Sequence, residues 1–208
     1  RALRARLRGA ASDDAMVECA AAGPAPDPHG RDYLGRVAPQ WTSPRFDPRH
    51  TALFEDAEHL PPVTVIRDQA HLTWRYPPTA ESPYWQRDLV DASGIAATAV
   101  VRVAALAGVR LIFVMDWHWR RGATDAAREL MRDVIALAAQ ADVDGIATLA
   151  AHGTAHRLVL RRLGFLPVPE FAFPRAPRLS VRPERHDDIA RWVDPAHWYY
   201  TWGDGLLL

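Results

Sequence analysis

Asp116, His118, His152 and His156 are the residues of this chain best placed by type and spacing to move protons. Asp116 and His118 alternate along the end of one expected strand, so their side chains leave the same face. His152 falls just past the end of a second expected strand, and His156 one helical turn later. If the two strands are parallel neighbours, all four converge on the cleft where open α/β sheets hold ligands. There a histidine, or a water held by Asp116, would accept a proton from an attacking group. The plainer alternative is that Asp116 caps a loop, His118 is solvated, and His152 and His156 satisfy a helix start. A metal site from these residues lacks the short Cys/His framework such sites use.

The elements that must position these side chains are legible as a mixed α/β unit. Tyr84 to Val90 reads as a strand, and the turn Asp91-Ala92-Ser93-Gly94 leads into a second over Ile95 to Leu106. Ala107-Gly108 turns the chain into Val109 to Met115, whose continuous apolar run predicts a central strand covered on both faces. Asp125 to Ala141 has Ala127, Leu130, Met131, Val134, Leu137, Ala138 and Ala141 on one stripe, predicting an amphipathic helix capped by Thr124 or Asp125. Ile146 to Ala150 follows as a strand parallel to the central one. Thr154 to Leu163 is a second helix, closed by Gly164 with Phe165 making an apolar contact beyond it. Upstream, Leu34 to Thr42 reads as an edge strand, and Phe46 to Tyr76 as two short helices divided by Pro61 and Pro62. Trp198 to Trp202 reads as an aromatic strand that closes the core.

Composition narrows the function classes. The 208 residues carry no net formal charge, with basic and acidic residues interspersed, so no electrostatic footprint for nucleic acid exists. No apolar run approaches the roughly 20 residues that span a bilayer, and a cytoplasmic protein without membrane or nucleic-acid partners is expected. The chain has neither Lys nor Asn, which excludes Schiff-base chemistry and matches GC-rich coding. Its one cysteine, Cys19, sits in an Ala-rich run and reads as a buried structural thiol. Trp117 and Trp119 read as packing residues, and Arg157, Arg161 and Arg162 as a solvated helix face. The opening from Arg1 to Ala11 reads as a connecting helix from the interior of a longer polypeptide, and Gly23 to Gly30 as a proline-rich linker.

The order of meander, helix, parallel strand and helix ending in Leu163-Gly164-Phe165 resembles the GNAT superfamily of acyl-CoA-dependent N-acyltransferases. More narrowly, Leu72-Thr73-Trp74-Arg75-Tyr76-Pro77 and the segment Asp194 to Asp204 look like bacterial proteins with two such domains in tandem. The resemblance implies a connecting helix and linker over 1–33, and over 34–208 a GNAT-like domain with a splayed parallel strand pair, forming the second half of a longer protein. It also implies direct acyl transfer from acetyl-CoA or another acyl-CoA to a small-molecule amine, with Asp116, His118 and His152 as the candidates for proton transfer.

The family holds the pyrophosphate of CoA at a helix start through an Arg/Gln-x-x-Gly-x-Gly/Ala pattern. Aligned by Leu130-Met131, the pattern positions fall on Gly122, Asp125 and Ala127, of which Ala127 fits and Asp125 repels an anion. A shifted register makes Arg120, Arg121, Gly122 and Thr124 the cradle instead. Leu160 stands where many members have an acid tyrosine, and Gly153 where they have Asn. The rival expectation is a non-catalytic GNAT-like domain that packs on, or presents substrate to, an active N-terminal half, or that pairs with a second copy.

Overall fold

A computed structural model describes residues 38–57, 60–61, 63–79, 82–106, 108–151, 153–167 and 197–204. The expected N-terminal helix and linker, Cys19, His152 and most of the segment between 168 and 196 lie outside the described residues. The fold is mixed α/β. It contains a four-stranded sheet in the order β2 (Tyr84–Asp91), β3 (Gly94–Leu106), β4 (Val109–Trp119), β5 (Gly145–Ala147) and a separate parallel pair, β1 (Val63–Thr64) with β6 (Trp198–Tyr199).

The meander forms where alternation and turn chemistry place it. Strand β2 (Tyr84–Asp91) pairs antiparallel with β3 (Gly94–Leu106). Between them Ser93 donates its backbone N–H to the Asp91 carboxylate at 2.8 Å, and Gly94 takes φ +112°, a conformation that side-chain-bearing residues rarely adopt. Strand β3 pairs antiparallel with β4 (Val109–Trp119), which runs on through Asp116 and His118 to Trp119. The parallel neighbour β5 (Gly145–Ala147) is shorter than its apolar run suggests, and its last partner on β4 is Phe113, opposite Ala147.

One irregularity decides which way the polar residues of β4 point. Partners step from Val100 and Asp116 to Val101 and Val114, leaving Met115 as the extra residue of a β-bulge. The bulge reverses the alternation. Ile112 and Val114 before it, and Trp117 and Trp119 after it, share one cluster with the third helix. Phe113 and Met115 belong to a second cluster on the opposite side. Asp116 and His118 thereby face the layer formed by α1 (Pro48–Glu55) and the approach to α2 (Gln69–Arg75).

Helix α3 (Thr124–Gln140) buries Ala127, Leu130, Met131, Val134, Leu137 and Ala138 against the sheet, as the stripe predicts. Each leucine-sized side chain contributes about 2 kcal/mol by burial. The helix is not capped by Thr124 or Asp125: Ala123 is the N-cap, and no side chain bonds the first turn. In α4 (Ala155–Arg162) Thr154 caps the start, while Gly164 at φ +87° and the Phe165 N–H bonded to Leu160 O at 3.1 Å close the end. Residues 63–64, expected to belong to the helical stretch after Pro61 and Pro62, instead form β1 (Val63–Thr64), and the helix starts only at Gln69.

The C-terminal aromatic run departs from its expectation. Its strand, β6, covers only Trp198–Tyr199 and pairs with β1, and a 3-10 turn over Trp202–Asp204 follows. Of the expected first strand, the described part contributes one isolated bridge, Thr42 with Gln86.

Candidate functional site

Asp116 is held by Arg67 and Tyr199 in a network that sequence spacing does not reveal. The Arg67 Nε donates to both oxygens of its carboxylate, at 3.0 and 2.7 Å, and the two side chains are 0% and 4% exposed. The rest of the guanidinium is used as fully. Its Nη1 reaches Val65 O at 2.7 Å and Thr64 Oγ1 at 3.2 Å, and its Nη2 reaches Asp204 at 2.6 Å and Thr201 Oγ1 at 3.2 Å. Burial opposes the charge of Arg67, yet Asp116 and Asp204 hold its pKa above the ordinary arginine value. Tyr199 completes the hub: its hydroxyl donates to Asp116 Oδ1 at 3.1 Å, and the guanidinium lies 4.5 Å over its ring. Burial, with the Asp116 charge behind it, pushes the Tyr199 phenol well above 10.0.

The same tyrosine enters the gap that opens where β5 stops pairing while β4 continues. Along that exposed edge of β4, Trp117 O accepts hydrogen bonds from the Tyr199 hydroxyl and from His156 Nε2, the latter at 3.2 Å. The His156 ring packs beside it, with centroids 4.8 Å from Trp117, 4.6 Å from Trp119 and 4.7 Å from Tyr199. Trp117 and Trp119 are therefore packing residues, 1% and 2% exposed. Gly203 seals the next step of the edge: a Cβ there would overlap the Tyr76 hydroxyl and come within 2.9 Å of Met115 O.

His118 lies apart from this network, in a polar row across the sheet made by Asp88, Thr98 and His118, which are successive cross-strand partners. It is buried, not solvated. Neither ring nitrogen has a hydrogen-bond partner among the described residues, and the Phe54 ring from α1 lies perpendicular to it at 6.0 Å between centroids. Burial, reinforced by Arg67 and His50, drops its pKa to about 3, so the ring is neutral. Asp88 is better served. It accepts from Thr98 Oγ1 at 2.6 Å and Gln86 Nε2 at 3.0 Å, with His50 Nε2 at 3.2 Å. Burial raises its pKa, but these partners outweigh it and leave the net value lowered.

The residues expected to cradle phosphate bracket the start of α3. Arg120 makes a two-point contact with Asp91, at 2.6 and 3.3 Å. Arg121 pairs with Asp56 at 3.5 Å and donates its backbone N–H to Asp56 O at 3.1 Å. Gly122 takes φ +72°, and Thr124 opens the helix. Asp125 is turned outward and pairs with Arg128.

The structure brings Asp116 and His118 to one face but gives them different surroundings, one fully bonded and one without partners among the described residues. His156 joins Asp116 through Tyr199 and the Trp117 backbone. Arg67, Tyr199, Thr201 and Asp204 carry no spacing signal that would single them out. The one local clue is the Gly203-Asp204 pair bounding an aromatic run.

No family model matches the sequence, and no curated protein matches it. Two solved structures of the Thermus thermophilus protein TTHA1254 are similar. A mutant form has 16% identity and a TM-score of 0.44, covering 70% of this chain and 98% of its own. The wild type has 18% identity and a TM-score of 0.40, covering 70% and 97%. A TM-score below 0.5 at such identity does not establish a common fold.

Proposed function

We propose that this chain is a GNAT-like domain that does not itself transfer acyl groups, and that it acts in the cytoplasm by packing against, or presenting an amine substrate to, an acyl-transferring half. The observation that carries this reading is the occupation of the edge of β4 beyond Phe113 by Tyr199 and His156. A thioester arm would need that edge. Tyr199 is bound in turn to the buried Asp116 carboxylate, so vacating the edge would cost that carboxylate a hydrogen bond away from water. With Tyr199 and His156 on Trp117 O, the edge does not fit an acyl-CoA arm. Asp116 is held in an ion pair, and neutral His118 is too weak a base for an amine at neutral pH.

A second reading, acyl transfer by this domain itself, is favoured by the start of α3. There Gly122 has a positive φ and no side chain caps the helix, as an anion cradle requires. Calorimetric titration with acetyl-CoA separates the two readings. The first expects no saturable heat at millimolar ligand. Saturable binding would reject it in favour of the second.

A further inference from the structure

His50 is wholly buried at the third position of α1, and each nitrogen of its ring faces one donor and one acceptor. At Nδ1 the Asp47 N–H lies 3.1 Å away and the Asp47 carbonyl 3.3 Å away. At Nε2 the Gln86 amide nitrogen lies at 2.9 Å and the Asp88 carboxylate at 3.2 Å. The ring can thus be satisfied as either neutral tautomer or as the cation. The capping box that starts α1 exists only when Nδ1 is unprotonated, because only then can it accept the Asp47 N–H. On protonation Nδ1 turns donor, toward the Asp47 carbonyl and the Asp47 carboxylate at 3.4 Å.

Helix α1 connects this ring to the segment before α3. At its far end the Asp56 carbonyl accepts the Arg121 N–H, and the Asp56 carboxylate pairs with the Arg121 side chain. We propose that α1 is a pH-responsive connector, in which protonation of His50 breaks the capping box and the resulting shift of the helix is transmitted through Asp56 to Arg121.

The charges around the ring favour the switch. Asp47 is itself paired with Arg49 at 2.7 Å, Asp88 approaches from β2, and His118 on β4 stays neutral and takes no proton. From the α2 side the contact is uncharged: Gln69 donates to Thr51 Oγ1 at 2.9 Å and to Phe46 O at 3.1 Å. Burial works against the imidazolium, but Asp88 and Asp47 prevail and the His50 pKa lies above its ordinary value.

The test is amide NMR of the full chain from pH ~8 to ~5, the range over which imidazoles switch. In the wild type the Asp47 and Arg121 amides should shift with one shared midpoint. Hydrogen-exchange protection of the Asp47 amide should fall about tenfold on the acid side, as loss of one hydrogen bond implies. His50→Gln keeps an acceptor at the capping position and cannot titrate, so both shifts should vanish. In Asp88→Asn the midpoint should move to lower pH, because the neighbouring negative charge is gone. An Arg121 amide that does not move with Asp47, a step that persists in His50→Gln, or an unmoved midpoint in Asp88→Asn would each overturn the proposal.

Discussion

The Arg67 guanidinium and the Asp116 carboxylate meet at 2.7 Å with both side chains shielded from water, and they join the approach to α2 to the bulged strand β4. Neither charge is tolerable there without the other. Arg67→Met should therefore destabilise the fold by about 3–5 kcal/mol, because it leaves the Asp116 and Asp204 carboxylates facing each other without a cation. Urea unfolding measures this. A loss below about 1 kcal/mol, the range of an exposed pair, would mean that the network is open to solvent.

Tyr199 closes the interstrand gap, so its hydroxyl is the group to remove. Tyr199→Phe should cost about 1–2 kcal/mol, since Trp117 O and Asp116 lose the one hydroxyl proton they share. The wild-type phenol should also resist titration. Burial raises both Tyr199 and Tyr76 well above 10.0, so the folded chain holds those protons where the unfolded chain releases them. Stability is then unaffected by these groups below pH ~10 and falls as pH rises past it. Alkaline absorbance titration should show these phenolates appearing only with unfolding; a reversible phenolate signal from Tyr199 in the folded chain would contradict its enclosure.

His118 carries the opposite pH dependence. Its folded pKa of about 3 lies below the unfolded value, so the unfolded state binds the extra proton as pH falls below ~6.5. Stability present at neutral pH is lost between there and pH 3, on the order of several kcal/mol in total. His118→Leu removes two unpartnered nitrogens, so it should leave stability at pH ~7 unchanged or raised and should flatten the acid limb of the profile. An unaltered acid limb would show that His118 exchanges its proton freely in the folded state.

How much of this was legible in the sequence follows from the range of each signal. The Asp91 to Gly94 turn, the α3 stripe and the Gly164 stop are local patterns, and each stands where its pattern put it. The shared face of Asp116 and His118 was equally local. Which face it is depends on the Met115 bulge, which periodicity within one strand does not encode. Arg67 lies 49 residues from Asp116 and 137 from Asp204, and no spacing rule reaches so far. The lengths of β5 and β6 were overestimated because an apolar run does not say which of its residues find ladder partners.

Gly203 tests the fit of the C-terminal turn against the sheet. Gly203→Ala should destabilise by about 2 kcal/mol or more, since its methyl group meets the Tyr76 hydroxyl and Met115 O in a fully packed site. Thermal unfolding reads the effect. A tolerated alanine would mean that the turn stands off from β4.

Tyr199 and His156 hold the edge of β4 beyond its last partner on β5. The most direct measurement of this is the amide spectrum of 115–119 and 145–147 during titration with acetyl-CoA to millimolar concentration. With Tyr199 and His156 still on Trp117 O, these signals should stay in place. Saturable shifts confined to those residues, with loss of the Tyr199 contact, would contradict that arrangement.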